Sequence, residues 1–171
     1  HGGKVALLFP GQGSQYPDML ADVAMAFAEV REALDHAERV LDGKLDRPLG
    51  WYIYPPSAFS DDEARQRAEA LAQTQVAQPA IGAASLGMYR LVTGLGIEAD
   101  FLGGHSYGEY AALCAAGGMS ADDLIRISHR RGAVINDATG KDSGTMAAVE
   151  ADATQVRAAL GGLDGITLAN L

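Results

Sequence analysis

A serine set between glycines, where a strand gives way to a helix, constrains this chain more than any other feature. Gly104-His105-Ser106-Tyr107-Gly108 is a Gly-x-Ser-x-Gly pentapeptide. Phe101 and Leu102 read as the end of a short buried strand, and Glu109 to Ala116 reads as the start of a helix. A chain that changes from strand to helix in so few residues turns sharply. The turn exposes the serine hydroxyl and puts a helix N-terminus behind it. Side chains at 104 or 108 would crowd that backbone. Taken alone the pentapeptide also fits an ordinary Gly/Ser loop, and the elements on either side favour the nucleophile. The expectation is an α/β fold. Residues 4 to 140 form a parallel sheet with helices on both faces, and Ser106 sits just past the C-terminal end of a central strand.

The rest of the chain supplies elements for such a core. Lys4 to Phe9 is a short apolar run that reads as a buried strand, and Pro10-Gly11-Gln12-Gly13 ends it. This loop lacks the Gly-Lys-Ser/Thr of a phosphate loop and the third glycine of a dinucleotide fingerprint, so nucleotide binding is rejected. Asp18 to Leu41 is mostly helical, in one or two pieces. Pro48 to Ser60 is an irregular loop, and Asp61 to Ala72 is a charged, solvated helix. Gln78-Pro79 opens a helix that is apolar on nearly every face and closes near Gly94 and Gly96. Ser120 caps another, running to about Ala138, with Leu124, Ile127, Val134 and Ile135 on one face. Arg131 falls in the middle of that face. Buried there it needs an anionic partner, either an internal salt bridge, with Glu109 for example, or a ligand carboxylate.

Past a Gly/Asp/Ser linker at 139–145, Met146 to Glu150 reads as a strand, Thr154 to Leu160 as a helix and Ile166 to Leu171 as a strand. Residues 145–171 are thus a β-α-β unit, half of a ferredoxin-like arrangement.

Charge and composition narrow the function. The 171 residues carry a formal net charge of -9, which argues against nucleic acid, since phosphate binding needs a basic face. No apolar run reaches membrane-spanning length. The single cysteine, Cys114, excludes an internal disulfide and fits a reducing cytoplasm. Within its helix it reads as a small core residue rather than a second nucleophile. No cluster of metal-ligand spacing occurs.

Three ordered stretches resemble one family. They are Phe9-Pro10-Gly11-Gln12-Gly13-Ser14-Gln15, Gln78-Pro79-Ala80, and Gly104 to Glu109. Together they resemble the malonyl-CoA:acyl-carrier-protein transacylases and the acyltransferase domains of type I polyketide and fatty acid synthases. Tyr107 and Tyr54-Pro55-Pro56 look most like iterative synthases of the enediyne or polyunsaturated fatty acid kind. The resemblance implies a hydrolase-like core with a small ferredoxin-like subdomain inserted. It also implies transfer of a malonyl group from malonyl-CoA, through an acyl-serine on Ser106, to the phosphopantetheine thiol of an acyl carrier protein in polyketide biosynthesis. Backbone N–H groups of Gln12 and Tyr107 would form the oxyanion hole. Arg131 would hold the malonyl carboxylate, with Gln78 and His105 also at the substrate. Neighbouring synthase domains are the implied partners, and no metal or redox cofactor is needed.

A serine hydroxyl needs a general base, and none of His1, His36, His105 or His129 has a convincing claim. The resemblance puts the histidine beyond position 171 and a supporting asparagine next to Asn170. Two rival readings follow: a serine hydrolase, with water as acceptor, and a structural piece that keeps the fold without the activity.

Overall fold

The computed structural model describes residues 3–139 and 147–168. The chain divides into two compact units, His1–Ala138 and Thr139–Leu171.

The first unit begins with β1 (Ala6–Phe9), then α1 (Ala21–Ala26), α2 (Ala28–Val40), α3 (Leu49–Ile53), α4 (Asp61–Ala72) and α5 (Thr74–Gly94). β2 (Phe101–Gly104), α6 (Gly108–Ala115) and α7 (Ala121–Thr139) follow. β1 and β2 pair in parallel, from Ala6 against Phe101 to Phe9 against Gly104. The unit is otherwise helical. Its main core gathers Ala37 of α2 and Leu41 just after it, Leu49 and Ile53 of α3, Leu71 of α4, Val76 and Ala80 of α5, and Ile125 of α7. A smaller cluster packs Phe9 of β1 on Ala111 and Ala112 of α6, which fixes the helix after Ser106 to the sheet.

Local chemistry accounts for several boundaries. Ser60 caps α4, its hydroxyl accepting from the Glu63 N–H at 3.2 Å beside three acidic residues in the first turn. Ser120 caps α7 in the same way, accepting from the Asp123 N–H at 3.0 Å.

In this first unit four expectations are corrected. The stretch from Pro48 to Ser60 is not all loop: Pro48 precedes α3, whose Leu49 and Ile53 are buried, so packing outweighs its prolines. α5 starts at Thr74, not Gln78, and Pro79 lies inside it. Val76 and Ala77 are buried and both donate to the Gln73 carbonyl at 2.8 Å, which builds the extra turn ahead of the proline. Phe101 is 56 % exposed rather than buried, with the Lys4 ammonium over its ring at 5.1 Å, and Leu8 is 80 % exposed. The fourth concerns α7. Its buried face is Leu124, Ile125, Ser128 and Gly132, while Ile127 and Val134 are exposed. Small residues, not the largest apolar ones, complete the inward face, and they let the helix approach closely. A Cβ on Gly132 would collide with the backbone of Thr74 and Gln75 at the start of α5.

In the second unit, α8 (Ala153–Leu160) is capped by Asp152, which accepts from the Thr154 N–H at 2.7 Å. That bond holds the Asp152 carboxyl below its ordinary range. Residues 147–150 and 166–168 are irregular rather than strands. A strand needs a neighbour to complete its backbone hydrogen bonds, and neither segment has one among the described residues. Met146 and 169–171 lie outside the described residues.

Candidate active site

The turn after β2 is built as its sequence requires. Ser106 has φ +53°, in the left-handed region that costs a non-glycine residue roughly 1–3 kcal/mol. The strain is held by bonds on both sides. The His105 N–H donates to Phe9 O at 3.1 Å, the Gly108 N–H to His105 O at 2.9 Å, and the Glu109 N–H to Ser106 O at 3.2 Å. Ser106 and His105 are exposed, whereas Tyr107 and Gly108 are buried. A Cβ at 108 would strike the carbonyls of Phe9 and Pro10, so only glycine lets α6 begin against the end of β1.

The same approach brings the Pro10–Gly13 loop to the serine. Gly11 sits so close to the His105 carbonyl that a Cβ there would meet it at 2.6 Å. The backbone N–H groups of Gln12 and Tyr107 donate to no acceptor among the described residues. The exposed Ser106 hydroxyl likewise makes no hydrogen bond among the described residues.

The Gln12 side chain is tied on both sides. Its Nε2 donates to Thr74 Oγ1 at 3.2 Å, and its Oε1 accepts from Gln78 Nε2 at 3.2 Å. Gln78 is fully buried, beneath the loop, and its Oε1 has no partner among the described residues. Its contact with the site therefore runs through Gln12. Sequence reading could name Gln78 but could not find this pairing, which joins residues 66 apart.

Arg131 is half-buried on α7, one residue from the Gly132 contact with α5. It makes no ion pair among the described residues, with Glu109 or any other. Its guanidinium lies 5.6 Å over the Tyr110 ring in the first turn of α6.

No described histidine ring makes a hydrogen bond with the Ser106 hydroxyl. His36 lies 2.9 Å from Asp122 with its side chain 30 % exposed. Burial pushes the half-buried His129 imidazole below its ordinary range, partly offset by a hydrogen bond with the Lys44 backbone. Asn170 lies outside the described residues. Burial pushes the Cys114 thiol up, which keeps it protonated and a poor rival to Ser106.

A family model described as acyl transferase domain matches residues 6–170. The chain belongs to the acyl transferase domain family. It is 40 % identical over 154 residues to the spectinabilin polyketide synthase system protein NorB of Streptomyces orinoci, a match covering 90 % of this chain and 7 % of that protein. The malonyl CoA-acyl carrier protein transacylase of Bacillus subtilis is 36 % identical over 146 residues, 85 % of this chain and 42 % of the transacylase. A malonyl-transacylase solved with its type II polyketide synthase acyl-carrier protein superposes with a TM-score of 0.69 at 33 % identity, covering 81 % of this chain and 40 % of that one. This acyl transferase chain thus spans less than half the length of those relatives. No helix among its described residues is long and apolar enough to cross a membrane.

Proposed function

We propose that this acyl transferase chain carries the nucleophile, oxyanion hole and carboxylate site of a malonyl transferase. In this reading the domain takes malonyl-CoA and delivers the acyl group to an acyl carrier protein in a polyketide-type synthase. The observation that carries it is the strained, exposed Ser106 beside two uncommitted N–H groups. A relative solved with its carrier protein supports the choice of acceptor.

Ser106 Oγ attacks the thioester carbonyl, its proton passes to a general base, and the base gives that proton to the CoA sulfur as the thioester bond breaks. The carbonyl oxygen becomes an oxyanion, met by the Gln12 and Tyr107 N–H groups. Gln78 steadies the loop that carries Gln12. The carrier's phosphopantetheine thiol then gives its proton to the same base and attacks the acyl-serine, and the base passes that proton to Ser106 Oγ as the ester bond breaks. The base is the histidine that the family resemblance puts beyond position 171. His105 borders the acyl-binding side, and neighbouring synthase domains present the carrier. In this reading neither half-reaction calls for a metal or redox cofactor.

The finer architecture belongs to the same proposal: residues 4–140 as the N-terminal part of a hydrolase-like core with helices on both faces, and 145–171 as the start of a ferredoxin-like subdomain. Val149 and Ile166, 61 % and 54 % exposed, are apolar residues that sheet partners would cover there.

Arg131 pairs its planar fork with the free malonyl carboxylate through two parallel hydrogen bonds. In the full natural chain, malonyl-CoA should leave a malonyl adduct on Ser106, read by intact mass, and Ser106→Ala should abolish it. Arg131→Ala should cost malonyl transfer about 2–5 kcal/mol and leave acetyl transfer no worse. An adduct that persists in Ser106→Ala refutes the nucleophile. Turnover of malonyl-CoA to free malonate, undiminished by carrier protein, would favour the hydrolase.

A further inference from the structure

A half-buried guanidinium without a carboxylate partner needs some other support, and here an aromatic stack provides it. Arg131 lies over Tyr110 at 5.6 Å, within cation–π range. Tyr110 stacks in turn on Tyr107, with ring centroids 6.1 Å apart and planes 17° from parallel. Tyr107 is 1 % exposed, and its hydroxyl meets Ser128 Oγ at 2.6 Å. Ser128 gives its own proton to the Leu124 carbonyl at 2.6 Å, so the phenol is the donor in that contact. α7 therefore supplies both ends of the stack. Ser128 anchors Tyr107, and Arg131, three residues on and on the same side of the helix, covers Tyr110.

The kind of contact matters for chemistry. A salt bridge would occupy the N–H donors of the guanidinium. A ring face holds the cation through its π-system and leaves the planar fork free to pair with a carboxylate. We infer that Tyr110 is a positioning residue that holds Arg131 through its ring face and thereby sets the preference for acyl groups ending in a carboxylate. The inference rests on the reading that Arg131 receives that carboxylate.

The test uses the full natural chain and measures kcat and KM separately for malonyl-CoA and acetyl-CoA. Position 110 carries in turn Tyr, Phe, then Phe with one, two and three ring fluorines, with Tyr110→Leu alongside. Fluorination weakens the negative ring face while barely changing size, so folding is preserved across the series. Tyr110→Phe should keep the malonyl preference. Malonyl kcat/KM should then fall stepwise with fluorine, mainly through KM, and by roughly 3- to 30-fold for Tyr110→Leu, while acetyl transfer stays within about twofold. A flat fluorine series overturns the inference, as do equal losses for both acyl groups or a Tyr110→Phe variant as poor as Tyr110→Leu. Arg131→Ala separates the two levels. If it erases the malonyl preference while the fluorine series is flat, only the role of Tyr110 fails. If it leaves the preference unchanged, the carboxylate reading fails, and this inference with it.

Discussion

Ser106 shows how a single residue can be placed against its own conformational preference. Its φ of +53° is one that glycine adopts freely and serine does not. The neighbours hold it there: the Gly108 N–H on His105 O, the His105 N–H on Phe9 O, and a glycine at 108 where no side chain fits. The strain keeps the hydroxyl out in solvent and ahead of α6. Replacing the serine should therefore separate stability from function. Ser106→Gly should unfold at a higher denaturant midpoint than Ser106→Ala, by roughly 1 kcal/mol, with both variants inactive. A glycine variant no more stable than alanine would mean that the turn carries no strain at this position.

At the scale of elements, contact between α5, α6 and α7 depends on small residues. Gly82 of α5 lies against the Tyr107 hydroxyl so tightly that a Cβ would overlap it. Gly82→Ala should destabilise the domain by about 1–3 kcal/mol in urea titration. In a Tyr107→Phe background the cost should shrink, because the hydroxyl that the methyl strikes is gone. Equal costs in both backgrounds would place the clash elsewhere. The same small residues explain what sequence could and could not convey. α4 was legible to the residue because Ser60 and three acidic residues mark its start. The pentapeptide marks the tight turn at Ser106 because its glycines are needed by local backbone geometry. The inward face of α7 was not legible: a hydrophobic pattern favours Ile127 and Val134, whereas the packing uses Ser128 and Gly132. Pro79 suggested a helix start, yet buried Val76 and Ala77 carry α5 back to Thr74. The Gln78–Gln12 and Tyr107–Ser128 bonds were not legible either. Those arise only when distant elements meet.

For the molecule as a whole, the two-stranded sheet leaves apolar surface open. Leu8 is 80 % exposed and Phe101 56 %, with Val5 and Ile97 at 40 % and 45 % nearby. Residues 1–171 produced alone should self-associate as concentration rises, visible by sedimentation, and Leu8→Lys should return them toward monomer. A monodisperse wild-type monomer at high concentration would refute this. The parallel pairing has a further consequence, for the order in which the chain assembles. The first ladder position joins Ala6 to Phe101, residues 95 apart. A connection so long makes the sheet a late event, since its closure entropy is lost before any pairing is gained. During synthesis the helices α1 to α5 emerge and can pack before β2 exists. Of the bonds that hold the turn at Ser106, the one from the His105 N–H to Phe9 O can form only once β2 has docked on β1, so the turn is completed by the same late pairing that closes the sheet.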